Sequence, residues 1–153
     1  MLVDSIDLVL EDLSNATSLC GRLDAVRTGL ALVEVAVQEL AFLDPLDPPP
    51  DWPELHRLCD RTRTRLARAP SFRFLSEPSC AAKAELSERD VPRLTESLIE
   101  VSNALVLTLL EAASQARNPT DEISCRSSAL CCADLHIALL ALRSKANRPS
   151  QMP

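Results

Sequence analysis

Between Val91 and Ala116, in the run VPRLTESLIEVSNALVLTLLEAASQA, apolar residues return at Leu94, Leu98, Val101, Leu105, Leu109, Ala112 and Ala116. Steps of three and four close into a single stripe only on an α-helix, because its turn of about 3.6 residues brings such positions to one side. Ile99, Val106 and Leu110 widen the stripe, so this helix is expected to meet neighbours on two sides. At ~1.5 Å per residue it would run roughly 40 Å, a length that other long helices must cover. The remainder of the chain has to supply those helices.

The composition agrees. Of 153 residues, 46% are hydrophobic but 3% aromatic, and Tyr is absent. The core must therefore come from Leu, Val, Ile and Ala, which suit helix-on-helix packing. The β-branched and aromatic runs that favour a sheet are missing. Gly21 and Gly29 are the two glycines, so tight turns needing positive φ are scarce. Phosphate cradles such as GxGxxG or GxxxxGK[ST] cannot be built from them. The 11 prolines cluster between the periodic segments, where helices should stop and start.

Leu2 to Leu43 carries two stripes. Ile6, Val9, Leu13, Ala16, Cys20 and Leu23 form one; Leu19, Leu23, Val26, Leu30, Val33, Val37 and Leu40 form the other. They meet beside Gly21, with Ser14 and Asn15 weakening the middle, which predicts two helices over 3–18 and 22–43. The segment 44–53, DPLDPPPDWP, is expected to be a Pro-rich loop. Pro53 and Glu54 then suit the start of a helix whose inward residues are Leu55, Leu58, Cys59, Thr62 and Leu66, ended by Pro70. Residues 70–88 are read as irregular, with Phe72 and Phe74 folding back, a short helix at 79–86 and a capping pattern from Ser87 to Asp90 ahead of the central helix. After Asn118-Pro119, Thr120 should cap a last helix. Its apolar face would hold Ile123, Leu130, Ala133, Ile137 and Leu140, with Leu135, Leu139 and Leu142 beside them. Residues 147–153 should be a frayed tail. The expected fold is all-α: one domain over 1–153, a four- or five-helix bundle, largely antiparallel.

The formal net charge of −6 disfavours nucleic acid and anionic membranes as generic partners. The charge is segregated. Residues 1–54 are strongly acidic, whereas 55–76 carry Arg57, Arg61, Arg63, Arg65, Arg68 and Arg73 against Asp60 alone; 77–123 are acidic again and 124–153 basic. Arg57, Arg61, Arg65 and Arg68 recur at helical spacing as one basic face, open to solvent or the acidic first segment, to a phosphate or nucleic acid, or to an acidic protein partner. Trp52, the one Trp, is read either as a plug against the end of the bundle or as a docking anchor. The acidic N-terminus does not resemble a signal peptide, and no uninterrupted apolar run reaches the ~18–20 residues of a membrane helix. A cytoplasmic location, with reduced thiols, is the expectation.

One constellation bears on chemistry. His56 lies three residues before Cys59, and His136 four after Cys132, so each pair shares a helix face. Two helices presenting His56, Cys59, Cys132 and His136 would offer zinc a tetrahedral set. The alternative is core thiols, since unpaired Cys behaves as a small hydrophobe, with no cofactor required. For catalysis the chain offers little. Neither His has a Glu three residues earlier, as bundle di-iron sites require. Cys132 with His136 has no third orienting group, and Glu96 with Glu100 reads as a solvated stripe. The sequence therefore points to a small non-enzymatic protein–protein interaction module, an accessory or regulatory subunit in the Arg-, Ala- and Leu-rich style of a bacterial or phage system. Its partner would be another protein or a second copy. Exposed apolar area would then exceed what a monomer tolerates, and a homodimer is plausible. The alternative function is a zinc-binding bundle, structural or sensory.

Overall fold

A computed structural model describes residues 2–43, 51–73 and 91–146. Among these the regular elements are all helices: α1 (Leu2–Asn15), α2 (Leu19–Leu43), α3 (Trp52–Leu66), the single turn α4 (Pro70–Arg73), α5 (Val91–Gln115) and α6 (Pro119–Ala146). The all-α expectation holds. Among the described residues six helices stand where four or five were expected, the addition being α4. Residues 44–50, Phe74, the expected short helix at 79–86, the Ser87–Asp90 cap and the tail 147–153 lie outside the described residues.

Local capping chemistry sets the boundaries and corrects several expected ones. The break between α1 and α2 falls at 16–18, ahead of Gly21. Ser18 caps α2, its Oγ accepting the Gly21 N–H at 3.0 Å, which satisfies one of the donors a helix start leaves open. A Cβ on Gly21 would stand 2.9 Å from that oxygen, so the glycine makes room for the cap and does not divide the helices. Asp51 caps α3 by accepting the Glu54 N–H at 3.1 Å, with Trp52 already helical and Pro53 in the first turn. Pro70 does not end α3, which stops at Leu66, but opens α4, since its fixed φ and missing N–H suit a first helical position. At α6, Asn118 takes the capping role expected of Thr120: its Oδ1 accepts the Thr120 N–H at 2.8 Å.

α5 packs against α1, α2 and α6, and α6 packs in turn on α3 and α4. Side-chain pairs fix the directions. Ser102 meets His136 and Glu96 meets Arg143, so α5 and α6 are antiparallel. Arg22 meets Glu111 at 3.0 Å and Gln115 reaches the Thr17 carbonyl at 2.7 Å, so α2 and α5 are antiparallel too. Arg65 donates to Ser127 and Ser71 to Asp121, which sets the α3–α4 segment against α6 in the same sense. Gly29 lies where three helices converge. A Cβ there would stand 3.0 Å from Leu105 Cδ2 and 3.3 Å from Val9 Cγ1, so its missing side chain lets α1 and α5 close on α2.

The α5 stripe is the centre of the core. Leu94, Leu98, Val101, Leu105, Leu109 and Ala112 are all completely buried. Ile99 is buried and Val106 partly so, while Leu110 is exposed. On α3 the buried residues are the five expected, Leu55, Leu58, Cys59, Thr62 and Leu66. On α1, Ile6, Val9 and Leu13 are buried, but Cys20 at the start of α2 is exposed.

Candidate interaction surface

The inner face of α6 is built of small residues. Ser124, Cys125, Ser128, Ala129 and Cys132 are buried together with Leu135, Leu139 and Leu142. Short side chains let neighbouring helix backbones approach closely, and their polar atoms are satisfied without leaving the core. Ser128 donates to the Ser124 carbonyl at 2.6 Å, and on the facing helices Thr62 donates to Leu58 O and Thr95 to Val91 O, each at 2.8 Å. A hydroxyl that bonds back to its own helix can be buried at little cost.

This arrangement turns large aliphatic side chains outward. Ile123, Leu130 and Ile137, expected in the core, are 67%, 68% and 63% exposed. Seven-residue steps drift by about 20° each on a straight α-helix, so the three lie within a narrow arc. Arg126 flanks the arc on one side and Asp134 on the other, and both are exposed. Ala133 and Leu140, also expected in the core, are partly buried on the side toward α5. On α5, Leu107 and Leu110 are exposed as well, and the Ser102–His136 register sets them level with the middle of the α6 row. The outer side of the α5–α6 pair thus carries a line of large apolar residues with a cation and an anion at its borders.

The residues singled out for metal binding are placed differently from one another. Cys59 and Cys132 come together across the α3–α6 contact, close enough for the Cys59 thiol to feel the charge of Cys132. Burial pushes Cys59 up to about 12, with Glu34 adding to the effect. Burial likewise pushes Cys132 up to about 12, with the neighbouring Thr62 side chain acting against it. Thiols held so firmly protonated are poor ligands and poor nucleophiles. His56 is exposed. His136 turns toward α5, its Nδ1 2.7 Å from Ser102 Oγ. Ser102 Oγ also lies 2.8 Å from Ile99 O, and its bond to His136 ties α5 to α6. Among the described residues no three His, Cys, Asp or Glu side chains gather as a metal site, so His56, Cys59, Cys132 and His136 do not form one set here.

The basic face of α3 is divided. Arg57, Arg61 and Arg68 are exposed, with Arg57 paired to Glu54 of its own helix at 3.0 Å. Arg65 is drawn to α6, donating to Ser127 Oγ at 2.9 Å. The cation that does meet the acidic first segment is Arg63, which pairs with the largely buried Glu34 of α2. Trp52 is partly buried against the core. Sequence reasoning missed Asp121, a buried carboxylate that accepts from Ser71 N at 3.1 Å and Ser71 Oγ at 2.7 Å and so pins α4 to α6. An acid in the first turn of a helix is common, since it offsets the dipole, and a partner 50 residues away leaves no local signal.

Contrary to the sequence expectation, α5 and α6 are both long and apolar enough to cross a membrane, by length and composition alone. Half of the α5 window and 44% of the α6 window are buried inside the protein. No family model, curated protein or solved structure matches the chain.

Proposed function

We propose that the chain is a non-enzymatic protein–protein interaction module, a largely antiparallel helical bundle that docks through the outer face of the α5–α6 pair, in the manner of an accessory or regulatory subunit. The observation that carries this reading is the row Ile123, Leu130 and Ile137, large apolar side chains more than half exposed on one helix face. Single exposed hydrophobes are ordinary, whereas aligned ones mark a surface that another molecule covers. Protein suits this surface better than lipid. Arg126 and Asp134 border the row near its middle, and a bilayer would have to accommodate a cation and an anion beside Leu130, whereas a polar rim around an apolar centre is the usual anatomy of a protein interface.

A photo-cross-linking residue at position 130, compared with one at the exposed Glu11 of α1, tests this in cells that make the protein. The expected result is a discrete protein adduct from position 130 and none from 11. Adducts to lipid, or equal labelling at both positions, would refute the proposal.

A further inference from the structure

We propose that the occupant of this face is a second copy of the same chain, laid antiparallel across Leu130. The inference rests on the docking role just argued and names the partner. Its basis is the order of residues about Leu130. Ile123 lies seven residues before it and Ile137 seven after; Arg126 lies four before and Asp134 four after. A two-fold axis through Leu130 and perpendicular to α6 sets each residue level with the one equally distant on the other side. Leu130 then meets Leu130, Ile123 stands level with Ile137, and Arg126 stands level with Asp134, twice by symmetry. Apolar meets apolar and cation meets anion along the whole row.

The parallel alternative lacks this match. It would set Arg126 level with Arg126 and Asp134 with Asp134, like charges at two heights of one interface. An antiparallel pair also opposes the two helix dipoles. It is an isologous contact that closes on itself and needs no other surface. Arg126 already leans on Glu122 of its own helix at 3.1 Å. That contact uses one guanidinium nitrogen, and the fork has further donors for Asp134 of the second copy.

Sedimentation velocity over a concentration series of the full chain tests the proposal, with charge-reversal variants as the sharper instrument. The wild type is expected to pass from monomer to dimer. Leu130→Asp, at a surface position that leaves the helical circular dichroism intact, should weaken the dimer by roughly a hundredfold. Arg126→Asp and Asp134→Arg should each weaken self-association by about tenfold, because each creates two like-charge pairs. Mixed in equal amounts, the two variants should recover association as a heterodimer. The Arg126→Asp chain then faces the Asp134→Arg chain with opposite charges at both levels. A wild type that stays monomeric at high micromolar concentration, or a mixture no better than its components, would overturn the antiparallel pair. The docking reading fails separately: a monomer whose position 130 still cross-links to a different protein removes only the self-pairing, and a monomer that cross-links to no protein removes both.

Discussion

Leu130 and Leu135 are the same residue type on the same helix, five positions apart, and one is 68% exposed while the other is fully buried. Around Leu135 the helix is lined with Ser, Cys and Ala and presses closely on α3 and α5. Around Leu130 it presents Ile123 and Ile137 to the surroundings. The two faces of α6 differ in side-chain size as much as in polarity. The lesson is that burial followed the face that could be packed tightly, because dispersion contacts and close approach reward complementary shape. A second apolar row, Ile123, Leu130 and Ile137, was left over.

If that contrast is right, truncation should separate the faces by a wide margin. Leu135→Ala or Leu139→Ala leaves a cavity in a fully buried site and should cost about 2–5 kcal/mol in urea unfolding. A loss below about 1 kcal/mol would mean that the inner face is not close-packed. Next in size is the clamp between α4 and α6. Asp121→Ala strips the acceptor from both Ser71 donors and should cost about 1–3 kcal/mol. An unchanged unfolding midpoint would show that α4 is not held there.

The buried thiols sharpen the comparison through pH. In the unfolded chain a thiol titrates near 9, while in the fold burial raises Cys59 and Cys132 to about 12 and Cys125 to about 11. Between those values the unfolded state releases protons that the native state retains, so stability is at its full value below about pH 8 and falls as pH rises toward about 11–12. Each thiol contributes a slope of at most about 1.4 kcal/mol per pH unit. Urea midpoints measured from about pH 8 upward should fall less steeply in Cys59→Ala than in the wild type. Parallel curves would place that thiol in contact with water. The smallest effect is expected on the outer face. Leu130→Ala should change the stability of the monomer by less than about 0.5 kcal/mol while weakening association. A large loss of monomer stability would mean that Leu130 is packed within its own chain.

Much of the fold was legible from residues alone. The α5 stripe and the five inward residues of α3 follow from helical periodicity, because in both helices one face is apolar and the other is charged. The separation of α1 from α2 was also legible, though not its position: Gly21 drew attention, while the boundary was set by Ser18 three residues earlier. The outer surface was read backwards. Ile123, Leu130 and Ile137 fall on the apolar stripe of α6 and so read as core, while the residues that read as candidates for docking were Trp52 and the basic row on α3, the latter equally open to solvent or to the acidic first segment. The Cys–His pairs looked alike in sequence but diverge in space, since residues four apart on a helix still differ in direction enough for Cys132 to face α3 and His136 to face α5.

The sequence by itself determined that this protein is helical, where most helices begin, and which face of α3 and α5 turns inward, since capping and amphipathic periodicity are local. Only the tertiary structure decided the orientation of α6. That helix is apolar on both sides, so its own periodicity is nearly silent. The choice fell to the neighbouring helices, against which the mixed small residues and Leu of the inner face pack more closely than the row Ile123, Leu130 and Ile137.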